Sequence, residues 1–255
     1  MSRTAKRFLY GTIYLLILAL IGVWVYFAFI RAEASCTNNR KDHGEEGTDC
    51  GGVCARVCIP ANIQPIAVAD VVKIFRPATG QVSLLARVQN PNQDFAARSF
   101  IYAFEVYDAN DSLIKSESGW SFIYAGEIKY LTAFISASGA EVARAELAIS
   151  SPDWVPAVRL AAPKLSLVDE LTQTTVSGVE VSGRLVNNDT SDFGQVTVVA
   201  VFYGSSGLQA GTSKTELFNL RPGENRAFSI LHPALPSLNA RRTEILLYAL
   251  RPQLN

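Results

Sequence analysis

Groups suited to acid–base or metal chemistry are scarce in this sequence. Of 255 residues only two are His, at positions 43 and 232, and one is Met. A Ser/His/Asp hydrolase needs an imidazole beside its nucleophile. His43 instead lies among cysteines and His232 precedes Pro233, so both read as surface or turn residues. No Gly-rich loop of the phosphate-cradling type is present. Gly204-Ser205-Ser206-Gly207 lacks the Gly-x-Ser-x-Gly spacing of a nucleophile elbow and reads as a hairpin turn. Turn positions explain most of Asp108, Asp111, Glu117 and Glu127 more simply than a glycosidase acid and base pair does. Unbalanced charge is also missing, because 23 basic residues offset 23 acidic ones. Nothing of one sign therefore recruits nucleic acid or an anionic surface. We expect no enzyme, no cofactor and no nucleic-acid partner.

Charge is absent altogether from Phe8 to Ile30, a run rich in Leu, Ile, Val and aromatics. As a helix these 23 residues reach about 35 Å, enough to cross a hydrocarbon core of about 30 Å. Tyr10, Tyr14, Trp24 and Tyr26 lie toward its ends, where aromatic rings settle at headgroup level. Arg3, Lys6 and Arg7 precede the run and Arg31 alone follows closely, so the positive-inside rule places residues 1–7 in the cytoplasm and the rest outside. Ala32-Glu33-Ala34 offers a small-x-small triplet that a signal peptidase accepts, with Ser35 as the new N-terminus. The run, however, exceeds the roughly 7 to 15 residues of a secretory h-region. The expectation is a retained signal-anchor. A lipoprotein is excluded because Glu33 stands three before Cys36, where a lipobox has Leu.

Cysteine is confined to Cys36, Cys50, Cys54 and Cys58. An even count beyond a membrane exit favours two disulfides. Residues 35–60 carry too few large apolar side chains to fold by burying a core, so covalent closure is needed. A four-Cys zinc site is the rival, but no CxxC knuckle pair occurs. Spacing leaves three disulfide connectivities open. Asp42, Glu45, Glu46 and Asp49 supply hard oxygen ligands between glycines. They are calcium candidates, although they do not follow the EF-hand pattern.

The order Cys36-Thr37-Asn38, Asp42, Glu45-Glu46, Thr48-Asp49-Cys50-Gly51-Gly52-Val53-Cys54 and Cys58 resembles a short cysteine-rich module of bacterial and archaeal surface proteins. The Asp-Cys-Gly-Gly-x-Cys core is its most specific part. Three residues instead of two separate Cys54 from Cys58, and the module implies no catalytic activity.

Beyond Pro60 the texture changes to short β-branched and aromatic runs broken by Gly, Asn, Asp and Pro. Strands are expected at 82–88, 101–107, 113–116, 120–123, 130–135 and 142–149. The series returns about 97 residues later. Ala86-Arg87-Val88-Gln89-Asn90 corresponds to Gly183-Arg184-Leu185-Val186-Asn187, Asp94-Phe95 to Asp192-Phe193, Phe104–Tyr107 to Ala200–Tyr203, Gly126-Glu127 to Gly223-Glu224, and Glu146-Leu147 to Glu244-Ile245. The expected fold is all-β: two tandem immunoglobulin-like β-sandwiches, 61–156 and 157–255, behind the helix and the disulfide-rich segment. Pro152, Pro156 and Pro163 mark a short, semi-rigid link.

Val181–Asn188, Val196–Tyr203, Leu220-Arg221-Pro222-Gly223-Glu224 and Phe228 resemble the FxLYD and late-embryogenesis-abundant-type family of extracytoplasmic sandwiches. Gly204 replaces the family's usual Asp, and the first repeat keeps a weaker form of the pattern. The resemblance implies a fold and a location, with no agreed activity.

Trp120, Phe122 and Tyr124 alternate, which places them on one strand face. They fit core packing, and also a partner-binding face, since Trp and Tyr dominate interface hot spots. The sequence thus describes a cell-envelope structural or interaction protein, held in the bilayer by Phe8–Ile30 and meeting another envelope protein. The alternative is an extracytoplasmic ligand or calcium sensor using the acidic cysteine loop.

Overall fold

The computed structural model describes residues 3–27, 35–136 and 142–252. The chain divides into two compact units, Met1–Ala61 and Asn62–Asn255.

The first unit opens with helix α1, Arg3–Val25. It begins five residues before the uncharged run because Arg and Lys are good helix formers and extend it backward. None of its residues is buried, and its most apolar stretch has a mean hydropathy of 2.2. An apolar helix that buries none of its residues is suited to lipid. The end of the run at Ile30 and the Ala32-Glu33-Ala34 triplet lie outside the described residues. Farther on, Cys36 bonds to Cys54 and Cys50 to Cys58, leaving no free cysteine among the described residues. Of the three open connectivities, the chain adopts the one in which the two loops interlock.

Among the described residues the second unit has thirteen strands: β1 Ala67–Val68, β2 Lys73–Ala78, β3 Gln81–Gln89, β4 Phe95–Tyr107, β5 Leu113–Ile123, β6 Ile128–Ser136, β7 Arg144–Pro156, β8 Leu165–Thr175, β9 Gly178–Asn187, β10 Phe193–Tyr203, β11 Gln209–Leu220, β12 Asn225–His232 and β13 Glu244–Ala249. All pairings are antiparallel. β3 pairs with β6 along one edge and with β1 and β2 along the other, facing a sheet of order β5-β4-β7. The second half repeats this plan, with β12-β9-β8 facing β11-β10-β13. In each half the first, second and fifth strands of the repeat make one sheet, and the third, fourth and sixth the other.

Each half encloses its own core. Leu84, Val88, Leu131 and Ile135 meet Phe100, Phe104, Val106 and Ile123 in the first; Val181, Leu185 and Ile230 meet Val196, Val198 and Phe202 in the second. β9 shows the alternation of a half-buried strand, with Val179, Val181 and Leu185 inward and Arg184 exposed. β3 and β10 differ, because they are apolar at both parities. Leu84 and Leu85 are both buried, and so is every residue from Val198 to Phe202. A third cluster explains this: Leu85, Phe122, Tyr124 and Leu160 pack with Val199, Val201 and Tyr248. The outer face of the β3 sheet thereby covers the outer face of the β10 sheet, giving four layers.

The segment between the halves is part of this packing. After β7 ends at Pro156, a 3₁₀ turn covers Ala157–Arg159 and Leu160 buries in the third cluster. The expected semi-rigid link is thus a packed connection. The separately expected strands 113–116 and 120–123 are one strand, β5. Gly119 carries the strand through because the Tyr102 ring lies across it; a Cβ there would stand 2.6 Å from that ring.

Candidate functional site

In the cysteine module the acidic residues bind backbone. Asp49 accepts hydrogen bonds from the Asn38 and Asn39 amides at 2.9 and 2.8 Å. Glu45, buried, accepts from the Asp42 and Asp49 amides at 3.0 and 3.2 Å. Asp42 accepts from the Ser35 amide and the Asn38 side chain, and these bonds hold its carboxyl below the usual range. Glu46 is exposed. Among the described residues, the one group of three potential ligand atoms within 4.8 Å joins Glu45 to Cys36 and Cys54, whose sulfurs are consumed by their disulfide. A segment without a core satisfies its amides in this way, and the arrangement accounts for three of the four acids without a cation. The glycines have a packing role: Gly52 adopts φ +59°, and a Cβ on it would approach the Gly44 carbonyl oxygen to 1.8 Å.

A cleft opens between the halves of the second unit. This cleft, about 480 Å³, takes Tyr102, Trp120 and Phe122 from β4 and β5 and Lys129, Tyr130 and Thr132 from β6. Gln195, Thr197 and Val199 of β10, Lys214, Glu216 and Phe218 of β11, and Tyr248 of β13 complete it. Its size and mixed lining are those of a small-molecule site at a domain interface. Two sets of hydrogen bonds hold the walls in place: the Tyr130 amide donates to Tyr248 Oη at 2.9 Å, and Tyr124 Oη donates to the Ala249 carbonyl at 2.7 Å. Burial pushes both phenols far above their ordinary range, so they stay neutral hydrogen-bonding groups.

Lys129 forms part of the lining, at 3% exposure. It occupies the inward parity of β6 with Leu131, Ala133 and Ile135. Its Nζ donates to the Phe122 carbonyl at 2.9 Å and stands over the Phe122 and Tyr248 rings, 3.4 and 4.7 Å from their centroids. Burial lowers its pKa to about 7, against a smaller opposing pull from Glu127. Burial in turn raises the Glu127 carboxyl, which accepts from the Tyr124 amide at 2.6 Å.

The repeat explains why a lysine is there. Glu224 and Arg226 stand 97 positions after Glu127 and Lys129. Glu224 accepts from the Arg221 amide at 2.9 Å, and Arg226 donates to the Asn219 carbonyl at 3.2 Å, the counterparts of the Tyr124 amide and the Phe122 carbonyl. Both repeats therefore use a cation to satisfy the same carbonyl. Arg226 does so near solvent, also pairing with Glu224, whereas the second half closes over Lys129.

The three aromatics expected to share a face differ in burial. Phe122 and Tyr124 are buried in the cluster between the halves, their rings edge-on at 5.6 Å, while Trp120 is 65% exposed at the cleft. Asp108 accepts from the Asn110 and Ser112 amides as a turn former. His232 is buried against the Phe202 ring, contrary to its reading as a surface residue. Reasoning from sequence passed over Lys129, Gln195, Phe218 and Tyr248. A lysine in phase with Leu131, Ala133 and Ile135 was the available signal for the first; the others join only through tertiary packing. No protein-family model matches the chain, and a search of curated proteins finds no match.

Proposed function

We propose that the protein is a single-pass membrane protein of the cell envelope, with its N-terminus in the cytoplasm and its disulfide module and β body outside, where the body binds another envelope component. The observation that carries this reading is the succession of a helix with no buried residue and, directly after it in sequence, two interlocked disulfides. Disulfides persist on the oxidising side of a membrane, and the basic residues Arg3, Lys6 and Arg7 favour the opposite side for the N-terminus. The two-sheet halves and the resemblance to the FxLYD type support a location outside the cytoplasm.

The test is a topology measurement on membranes from cells making the full chain. Protease added from outside should digest residues beyond 61 under reducing conditions and spare the N-terminal tail, and the mature mass should include α1. A body protected from external protease would contradict the orientation. A mature chain starting at Ser35 would contradict the anchor.

A further inference from the structure

We propose that the cleft between the two halves binds an uncharged saccharide of one or two rings, with Trp120 and Phe218 as its stacking surfaces. The inference rests on reading the β body as an extracytoplasmic binding domain. Three aromatic side chains are exposed among the described residues after position 35: Trp120, Phe134 and Phe218. Two of the three border this cleft, at 65% and 53% exposure, and they come from opposite halves. Leaving large rings in water forgoes the burial that normally stabilises them. Both sit on strands, Trp120 paired with Ile101 and Phe218 with Gln195, so their backbone positions are set before any ligand arrives.

The polar lining decides between ligand classes. Among the described residues the Gln195 amide and the Thr132 and Thr197 hydroxyls have no hydrogen-bond partner within the protein, leaving donors and acceptors free in an aromatic-walled space. A lipid tail would leave these groups unpaired, at a cost. The charges in the lining are already committed. Lys214 and Glu216 pair at 2.9 Å, and Lys129 is spent on the Phe122 carbonyl and two rings. No free charge waits for an ionic ligand. A sugar ring offers an apolar C–H face for the aromatic walls and hydroxyls at its edge that both donate and accept.

The experiment uses the full chain in lipid nanodiscs, free of glycoside detergents. Cellobiose, chitobiose and mannobiose are titrated by calorimetry, with digalacturonate and an unrelated extended peptide in parallel. At least one neutral disaccharide should saturate the protein. Trp120→Ala and Phe218→Ala should each weaken it about tenfold or more, as truncation of a central aromatic does. Phe134→Ala, outside the cleft, should leave it unchanged, and all variants should keep the parent melting temperature. The proposal is overturned if no neutral disaccharide saturates, if only digalacturonate or the peptide binds, or if affinity survives both cleft substitutions. Absence of binding by a body shown to face outward sinks the ligand class alone; a body facing the cytoplasm sinks the underlying reading as well.

Discussion

At the scale of single residues, Lys129 and Arg226 show one sequence feature with two energetic outcomes. Each satisfies a main-chain carbonyl at the same point of the repeat, but only Lys129 loses its hydration. A lysine whose folded pKa lies near 7 binds fewer protons than the unfolded chain between that value and the ordinary 10.5. Stability should therefore rise with pH across this window, by at most about 1.4 kcal/mol per unit for one proton. Lys129→Met keeps the stem and removes the charge. It should flatten the dependence, as measured by urea unfolding at a series of pH values. An unchanged slope would show that Lys129 is hydrated in the folded protein.

Among the elements, the turn that closes each repeat depends on a buried asparagine. Asn187 donates to the Ser191 and Leu220 carbonyls and accepts from the Asp189 amide, while its own amide donates to the Glu224 carbonyl. Asn90 does the same with Phe95, Tyr124, Asn92 and Glu127. Replacing Asn187 with Ala strands several buried groups, so urea unfolding should register a loss of about 3 kcal/mol. At the exposed neighbour, Asn188→Ala should cost less than about 0.5 kcal/mol. The repeat of Asn, Gly and Glu was legible in the sequence, and so was the turn preference of Asn. Its clamp was not, because the Tyr124 carbonyl lies 34 positions away. Adjacent apolar residues at Leu84-Leu85 of β3 and Val198–Phe202 of β10 were the available signal for burial on both faces. What each strand met on its second face depended on how the halves pack, which no local pattern records. For the same reason Trp120 pointed toward the cleft, while Gln195 and Phe218 stayed invisible as its partners.

The molecule as a whole consists of a covalently closed module of few apolar residues and a body held by three apolar clusters. The module depends on its disulfides. The body depends on the cluster formed by Leu85, Phe122, Tyr124, Val199, Val201 and Tyr248, which converts two repeats into one unit with a cleft of fixed shape. A cleft built from both halves exists only while they stay packed. Hydrogen exchange read by mass spectrometry on the full chain in nanodiscs tests this packing most directly. The amides of Gln81–Gln89 and Phe193–Tyr203 should open with the same free energy, and Val199→Asp should lower both together. Two distinct opening energies, with the substitution affecting neither or only the second half, would mean that the halves are independent domains.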